Sequence, residues 1–201
     1  KKHVVKPILT NTEMYACADE DYVYVLSTFI DGYTIGSNPL KLGQVNEIAK
    51  ILGTLHRSTD DVPAHLIKQL PRENFDIGFC RSLYKFIKND LLSKHDAVLR
   101  TVKPFAGYLL DNIKRMKYLA ETLKKKPMQF VLCHGDAHYW NMIQSKHIKL
   151  IDWECAILAP PEQDLILHVT GQYAEPFLSF YKQYVSSNKL DLDALEFYFL
   201  K

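Results

Sequence analysis

An α+β fold is predicted by the order in which the sequence changes character. The first thirty or so residues are rich in β-branched and aromatic side chains. Helical periodicities follow, a short β cluster returns between about Phe130 and Asp152, and helices close the chain. Blocks of one kind, rather than regular strand–helix alternation, favour segregated helices and sheet over a doubly wound parallel sheet. With 47% apolar and 24% charged residues among 201, the chain has the material for a real core and is not of disordered composition.

The elements are justified in order. "HVVKPIL" is a short apolar run containing a proline, and "DYVYVLSTFI" is a strand candidate closed by the turn signal Asp31-Gly32. Ser37-Asn38-Pro39 reads as a helix start, with a capping residue ahead of a first-turn proline. Val45, Ile48, Leu52 and Leu55 then recur at helical spacing. Arg81 to about Lys94 is expected to be helical. A longer helix is expected from about Pro104 to Lys125, with Phe105, Leu109, Ile113, Met116, Ala120 and Leu123 on one face. "QFVLC" reads as a buried strand, and "MIQ" and "IKLI" as two strands joined by a tight turn at Ser145-Lys146-His147. Helices are expected over Glu162–Val169 and Glu175–Ser186, and from Asp191 onward. Both ends look cut, since a strand begins almost at Lys1 and a helical pattern is still running at Lys201.

The formal charge of +2 lacks the basic excess of a dedicated nucleic-acid binder. Lys124-Lys125-Lys126 is read as the basic last turn of a helix, where cations complement the dipole. The cysteines at 17, 80, 133 and 155 form no C-x-x-C pair and suit free thiols in a reducing compartment. No apolar run approaches the roughly 20 residues of a membrane span, and the first residues do not resemble a signal peptide. A cytoplasmic protein with neither nucleic-acid nor membrane partners is expected.

The stretch "FVLCHGDAHYWNMIQ" ends an apolar strand in a burst of polar groups. One reading is a metal hydrolase with His134, Asp136 and His138 as ligands, but no paired His or Cys motif elsewhere completes a zinc set. Phosphoryl transfer fits better. That chemistry needs in-line positioning, a divalent metal on the phosphates and a carboxylate beside the attacking hydroxyl. Asp136 leads the loop, Asn141 lies five residues on, and Asp152 ends the strand "IKLI". A hairpin between Asn141 and Asp152 brings them together, so that one aspartate orients the hydroxyl while the asparagine and the second aspartate hold magnesium.

"HGDAHYWN" followed by "IKLIDWE" resembles the catalytic loop and metal-binding segment of the aminoglycoside phosphotransferase and choline kinase family, small-molecule kinases with a protein-kinase-like fold. "VLSTFIDG" is similar to its hinge strand, "ILGTLHRS" to its L-G-x-L-H helix, and "ILAPPEQDL" to the segment after the metal aspartate, most like spectinomycin phosphotransferases. The resemblance spans about residues 4 to 199. It implies a kinase moving the γ-phosphoryl of ATP or GTP to a small-molecule alcohol, with spectinomycin-like aminocyclitols as one acceptor and antibiotic resistance as the outcome. A metabolic kinase of choline, sugar or homoserine type is an alternative, as is a catalytically silent remnant serving as a binding module.

By resemblance, Asp136 is the catalytic base, Asn141 and Asp152 hold magnesium, and His134 and His138 brace the loop. Asp164 either braces it too or caps the helix near Glu162. Thr28, Phe29 and Ile30 are implied to meet the purine with their backbone, under apolar cover from Ile143 and Ile151. Tyr139 and Trp140 shape the acceptor side or only pack, and Glu154 either faces the acceptor or is a solvated acid. The resemblance divides the chain into residues 1–32, the end of an N-terminal lobe and hinge, and residues 33–201, a C-terminal catalytic lobe. Val4-Val5-Lys6 mimics the strand carrying the phosphate-binding lysine. Too few residues separate Lys6 from Phe29 for the helix and strands that must intervene, and Pro7 disfavours a central strand. The glycine-rich loop, that lysine and its glutamate partner are therefore not found in this sequence.

Overall fold

A computed structural model describes residues 3–91, 97–185 and 189–201. The fold is α+β. Its strands are β1 (Cys17–Ala18), β2 (Val23–Tyr24), β3 (Tyr33–Thr34), β4 (Val131–Cys133), β5 (Met142–Gln144), β6 (Ile148–Leu150) and β7 (Ile157–Ala159). Its α-helices are α1 (Leu42–Arg57), α2 (Ala64–Ile67), α3 (Gly78–Phe86), α4 (Ala97–Val102), α5 (Ala106–Leu123), α6 (Glu162–Leu165), α7 (Ala174–Tyr181) and α8 (Leu192–Leu200).

The amino-terminal β prediction holds only in fragments. Val23 and Tyr24 alone in "DYVYVLSTFI" form a named strand, a hairpin with β1. Val4 and Pro7 make isolated bridges, to Leu150 and Ser27. Pro7 offers no N–H to a ladder, and the side chains here are largely exposed: Val23 is 72% and Phe29 91% accessible. Propensity without a face to bury does not sustain a long strand. The first long helix starts at Leu42 rather than beside Pro39. Asn38 instead donates from Nδ2 to the Ile35 carbonyl (2.9 Å), and Gln44 Oε1 accepts the Lys41 N–H (2.9 Å) at the true start.

The middle follows expectation closely. β5 and β6 pair antiparallel with Met142 opposite Leu150, and β3 joins the other edge of β5. β4 pairs with β7, a strand the sequence reading omitted. α5 buries Met116, Leu119, Ala120 and Leu123, but Phe105 precedes the helix and is exposed. The helix read from Arg81 begins earlier, at Gly78, and passes into a π-turn at Ile87–Leu91; the predicted Leu92, Ser93 and Lys94 lie outside the described residues. The segments read as Glu162–Val169 and Glu175–Ser186 contain shorter helices, α6 and α7, and Ser186 lies outside the described residues. Asp191 caps α8 by accepting the Ala194 N–H at 3.0 Å. Lys124 to Lys126 follow the last turn of α5, and Lys126 pairs with Asp191 (2.9 Å) and Asp193.

Two apolar clusters flank β4 and β7. One joins α1, α7 and the β5–β6 hairpin through Ile48, Leu52, Met142, Leu150 and Phe177. The other joins α3, α5 and α8 through Phe75, Leu119 and Phe197. Gly53 lets α1 pack against the end of α7 and the turn after it, since a Cβ there would lie 2.7 Å from Tyr184 Cβ and 3.5 Å from Tyr181. Gly53→Ala is therefore expected to lose about 1 kcal/mol net, the overpacking cost outweighing a gain in helix propensity of about 1 kcal/mol. Urea unfolding measures this; a stabilised variant would show that the helices are not in contact there.

Candidate active site

β4 delivers the chain to a loop, His134 to Asn141, whose shape is fixed from beneath by one carboxylate. Asp164, fully buried on α6, accepts the His134 N–H at Oδ2 (2.8 Å) and the Gly135 N–H at Oδ1 (2.9 Å). It also receives His56 Nε2–H at 3.2 Å, and the Tyr181 hydroxyl donates to His56 Nδ1 at 2.7 Å. Burial opposes ionisation of Asp164, yet the His56 hydrogen bond and charge and the two loop amides outweigh it, holding the carboxyl below its ordinary value. The end of α1 grips β4 as well, since Thr59 Oγ1 accepts the Leu132 N–H at 2.8 Å.

Gly135 is required twice over. Its φ is +83°, and a Cβ would fall 2.0 Å from the Cys155 carbonyl oxygen, so the loop crosses the Trp153–Cys155 turn in direct contact. The loop then closes on itself. Asn141 Nδ2 donates to the Asp136 carbonyl and to Asp136 Oδ2, each at 3.0 Å, and the Asn141 N–H meets His138 Nδ1 at 3.2 Å. The hairpin brings Asp152 alongside, because the Ile151 N–H donates to the Asn141 carbonyl at 3.0 Å and His134 Nε2–H donates to the Ile151 carbonyl at 2.8 Å.

Both ring nitrogens of His134 are thus engaged by backbone, Nδ1 accepting the Asp136 N–H at 3.3 Å. This geometry excludes the zinc reading of His134, Asp136 and His138. The groups left with spare acceptor capacity are oxygens. Asp152, exposed and in the left-handed conformation (φ 65°, ψ 67°), receives no hydrogen bond among the described residues. Asn141 gives its Nδ2 to Asp136, while its side-chain Oδ1 accepts no hydrogen bond among the described residues. Hard oxygen donors of this kind suit magnesium.

The remaining candidates divide. Tyr139 turns inward, its hydroxyl 3.2 Å from His168 Nδ1, so it packs rather than lining the acceptor side. Trp140 is 64% exposed and lies over Gly36, and Glu154 is exposed in the turn after Asp152. The Thr28 N–H is committed to the Lys6 carbonyl at 3.1 Å, while the Thr28 carbonyl and the backbone of Phe29 and Ile30 make no backbone–backbone hydrogen bond among the described residues. Ile143 and Ile151 are half-buried on and beside the hairpin.

Sequence reading missed His168. It is buried, stacks on Phe177 with ring centroids 5.0 Å apart, and donates from Nε2 to the Ala137 carbonyl at 3.0 Å, supporting the loop from the side opposite Asp164. Only tertiary packing identifies it, since its sequence neighbours form no motif. His56 carried a signal, the L-G-x-L-H helix, but not its role.

Residues 3–198 match the profile described as the phosphotransferase enzyme family. Protein StrN of Streptomyces griseus is 24% identical over 177 residues, which cover 82% of this chain and 54% of that protein; the chain thus spans about half the length of this curated relative. The crystal structure of spectinomycin phosphotransferase APH(9)-Ia in complex with ADP and spectinomycin superposes with a TM-score of 0.74 at 22% identity, over 100% of this chain and 64% of that one. Amicoumacin kinase hAmiN, in complex with AMP-PNP, Ca2+ and amicoumacin, gives 0.63 at 15% identity, over 98% and 62%. The protein has the kinase-like fold of these enzymes.

Burial pushes the His168 imidazole down to about 4. In the unfolded chain it protonates near its ordinary value of 6.5, so between those limits protons favour unfolding. Stability is expected to fall as pH drops from about 6.5 to 4, by about 1.4 kcal/mol per unit from this group. Burial raises Glu162, which acts in the opposite sense, so the comparison with His168→Gln isolates the histidine. Chemical denaturation at several pH values should show a shallower slope in the variant; equal slopes would contradict a buried neutral His168.

Proposed function

The chain belongs to the phosphotransferase enzyme family, and from that premise we propose that it carries the catalytic lobe of a small-molecule kinase. The reaction is transfer of the γ-phosphoryl group of ATP or GTP to a hydroxyl of a small acceptor, with spectinomycin-like aminocyclitols as the leading class. The likeness to the spectinomycin enzyme supports that acceptor class, and antibiotic resistance is its biological consequence. In this reading residues 1–32 end an N-terminal lobe and hinge, and residues 33–201 form the C-terminal lobe. The protein works in the cytoplasm; among the described residues no helix is long and apolar enough to cross a membrane.

The observation that carries this reading is Asp152. A non-glycine residue held at φ 65°, whose carboxylate receives no hydrogen bond among the described residues, costs stability without a compensating bond. A silent remnant has no use for it, whereas a kinase needs such oxygens. Asp152 and Asn141 Oδ1 would hold magnesium, which when bound neutralises charge on the nucleotide phosphates. Asp136, with one carboxylate oxygen fixed by Asn141, presents the other to the acceptor hydroxyl, orients it and takes its proton. Backbone groups of Thr28, Phe29 and Ile30 meet the purine edge, and Ile143 and Ile151 cover its face. Trp140 and Glu154 border the acceptor.

Release of ADP or GDP across a panel of alcohols tests the reaction. Asp136→Asn keeps the shape but loses the anion, so kcat should fall by roughly 10²- to 10⁴-fold with nucleotide Kd nearly unchanged. A folded variant with undiminished turnover would refute the role. Asp152→Ala should abolish most turnover at any magnesium concentration, while Asn141→Ala should be milder and partly rescued by added magnesium. The reverse order would exchange the two assignments.

A further inference from the structure

At the buried Asp164 that holds the loop amides, three side chains of different chemistry converge. A ring nitrogen of His56, Sγ of Cys133 and a carboxylate oxygen of Asp164 lie within 4.8 Å of one another, and all three residues are buried. We propose that His56, Cys133 and Asp164 bind one borderline divalent cation of the zinc type.

Four observations point there. First, the separation fits. His56 Nε2 and Asp164 Oδ2 are 3.2 Å apart, while tetrahedral zinc bonds of 2.0–2.1 Å place such ligand atoms roughly 3.3 Å apart. A cation can take the place of the shared proton with little movement. Second, the outer contacts of a metal histidine are present, since the Tyr181 hydroxyl holds His56 Nδ1 at 2.7 Å and so fixes the ring with Nε2 toward the carboxylate. Third, a second buried carboxylate lies on the same helix as Asp164: Glu162 accepts the Asp191 N–H at Oε1 (2.7 Å), and its Oε2 has no partner among the described residues, so it adds negative charge without a matching donor. Its charge bears on both Cys133 and His56. Fourth, a cavity of about 360 Å3 reaches His56, Val131, Glu162 and Tyr181, which supplies a route inward.

Binding displaces the Cys133 thiol proton to solvent, while the His56 proton moves from Nε2 to Nδ1, which then donates to the Tyr181 hydroxyl oxygen. The thiol otherwise makes only weak 3.6 Å contacts to the Ala159 and Pro160 carbonyls. Because the thiol must lose its proton to bind, affinity should weaken as pH falls. Asp164 keeps its bonds to the His134 and Gly135 amides, so the cation would stiffen the loop from behind. This site is distinct from the magnesium site in ligands and softness, and it does not depend on the proposed reaction.

The test is a cobalt(II) titration of the chelator-treated protein. One equivalent should produce a near-ultraviolet thiolate-to-cobalt charge-transfer band with strong visible bands of a tetrahedral ion. Zinc should displace the cobalt, and zinc added to the metal-free protein should release a proton and raise the melting temperature. Cys133→Ser should abolish the charge-transfer band and weaken zinc binding by at least 10-fold. Cys155→Ser, and His147→Ala in the surface group of His3, Glu47 and His147, should leave both unchanged. Absence of the band in the wild-type protein overturns the proposal without any variant. Its persistence in folded Cys133→Ser, or its loss in Cys155→Ser, overturns it equally.

Discussion

The buried carboxylate of Asp164 is the constraint on which the rest depends. A charge with no water must be matched by donors, and here the donors are two consecutive backbone amides, those of His134 and Gly135, and the ring of His56. The same bonds that make the charge tolerable give the loop its shape. His56 reaches Asp164 only because α1 runs against α7, which Gly53 permits, and Tyr181 on α7 then orients the ring. The loop can turn above the carboxylate only because Gly135 adopts a positive φ against the Cys155 carbonyl.

The site therefore has two faces with opposite electrostatic rules. Beneath the loop every polar group of Asp164, His56 and His134 is consumed internally, in a medium where an unmatched group costs about 1–3 kcal/mol. Above it, Asp136 and Asp152 stand partly or fully in water, one half-satisfied by Asn141 and the other unpaired among the described residues. The rigid lower face holds the open upper face in place, which is how a scaffold keeps reactive groups in register at low conformational cost.

Much of the upper face was legible in the sequence. The polar burst after an apolar strand located Asp136 and Asn141, and the tight turn between two short strands correctly returned Asp152 to their side. Asp191 was readable as a helix start because capping is local chemistry. The lower face was less legible. Asp164 stood evenly between a brace and a helix cap, since either role fits an acid one turn into a helix, and only its bonds to residues thirty positions away decide the matter. His168 carried no signal, because its stack on Phe177 and its bond to Ala137 join distant segments. The opposite error occurred near the start. "DYVYVLSTFI" has strand composition, but strands are made by partners and a face to bury, and most of this stretch lies exposed.

The most direct test of this dependence is amide hydrogen exchange at His134 and Gly135 in the wild-type protein and in His56→Gln. The account predicts that both amides are protected in the wild type, and that they exchange faster in the variant by far more than amides in α5, which is remote from the contact. Equal protection of the two amides in both proteins would contradict the claim that Asp164, held by His56, sets the shape of the loop.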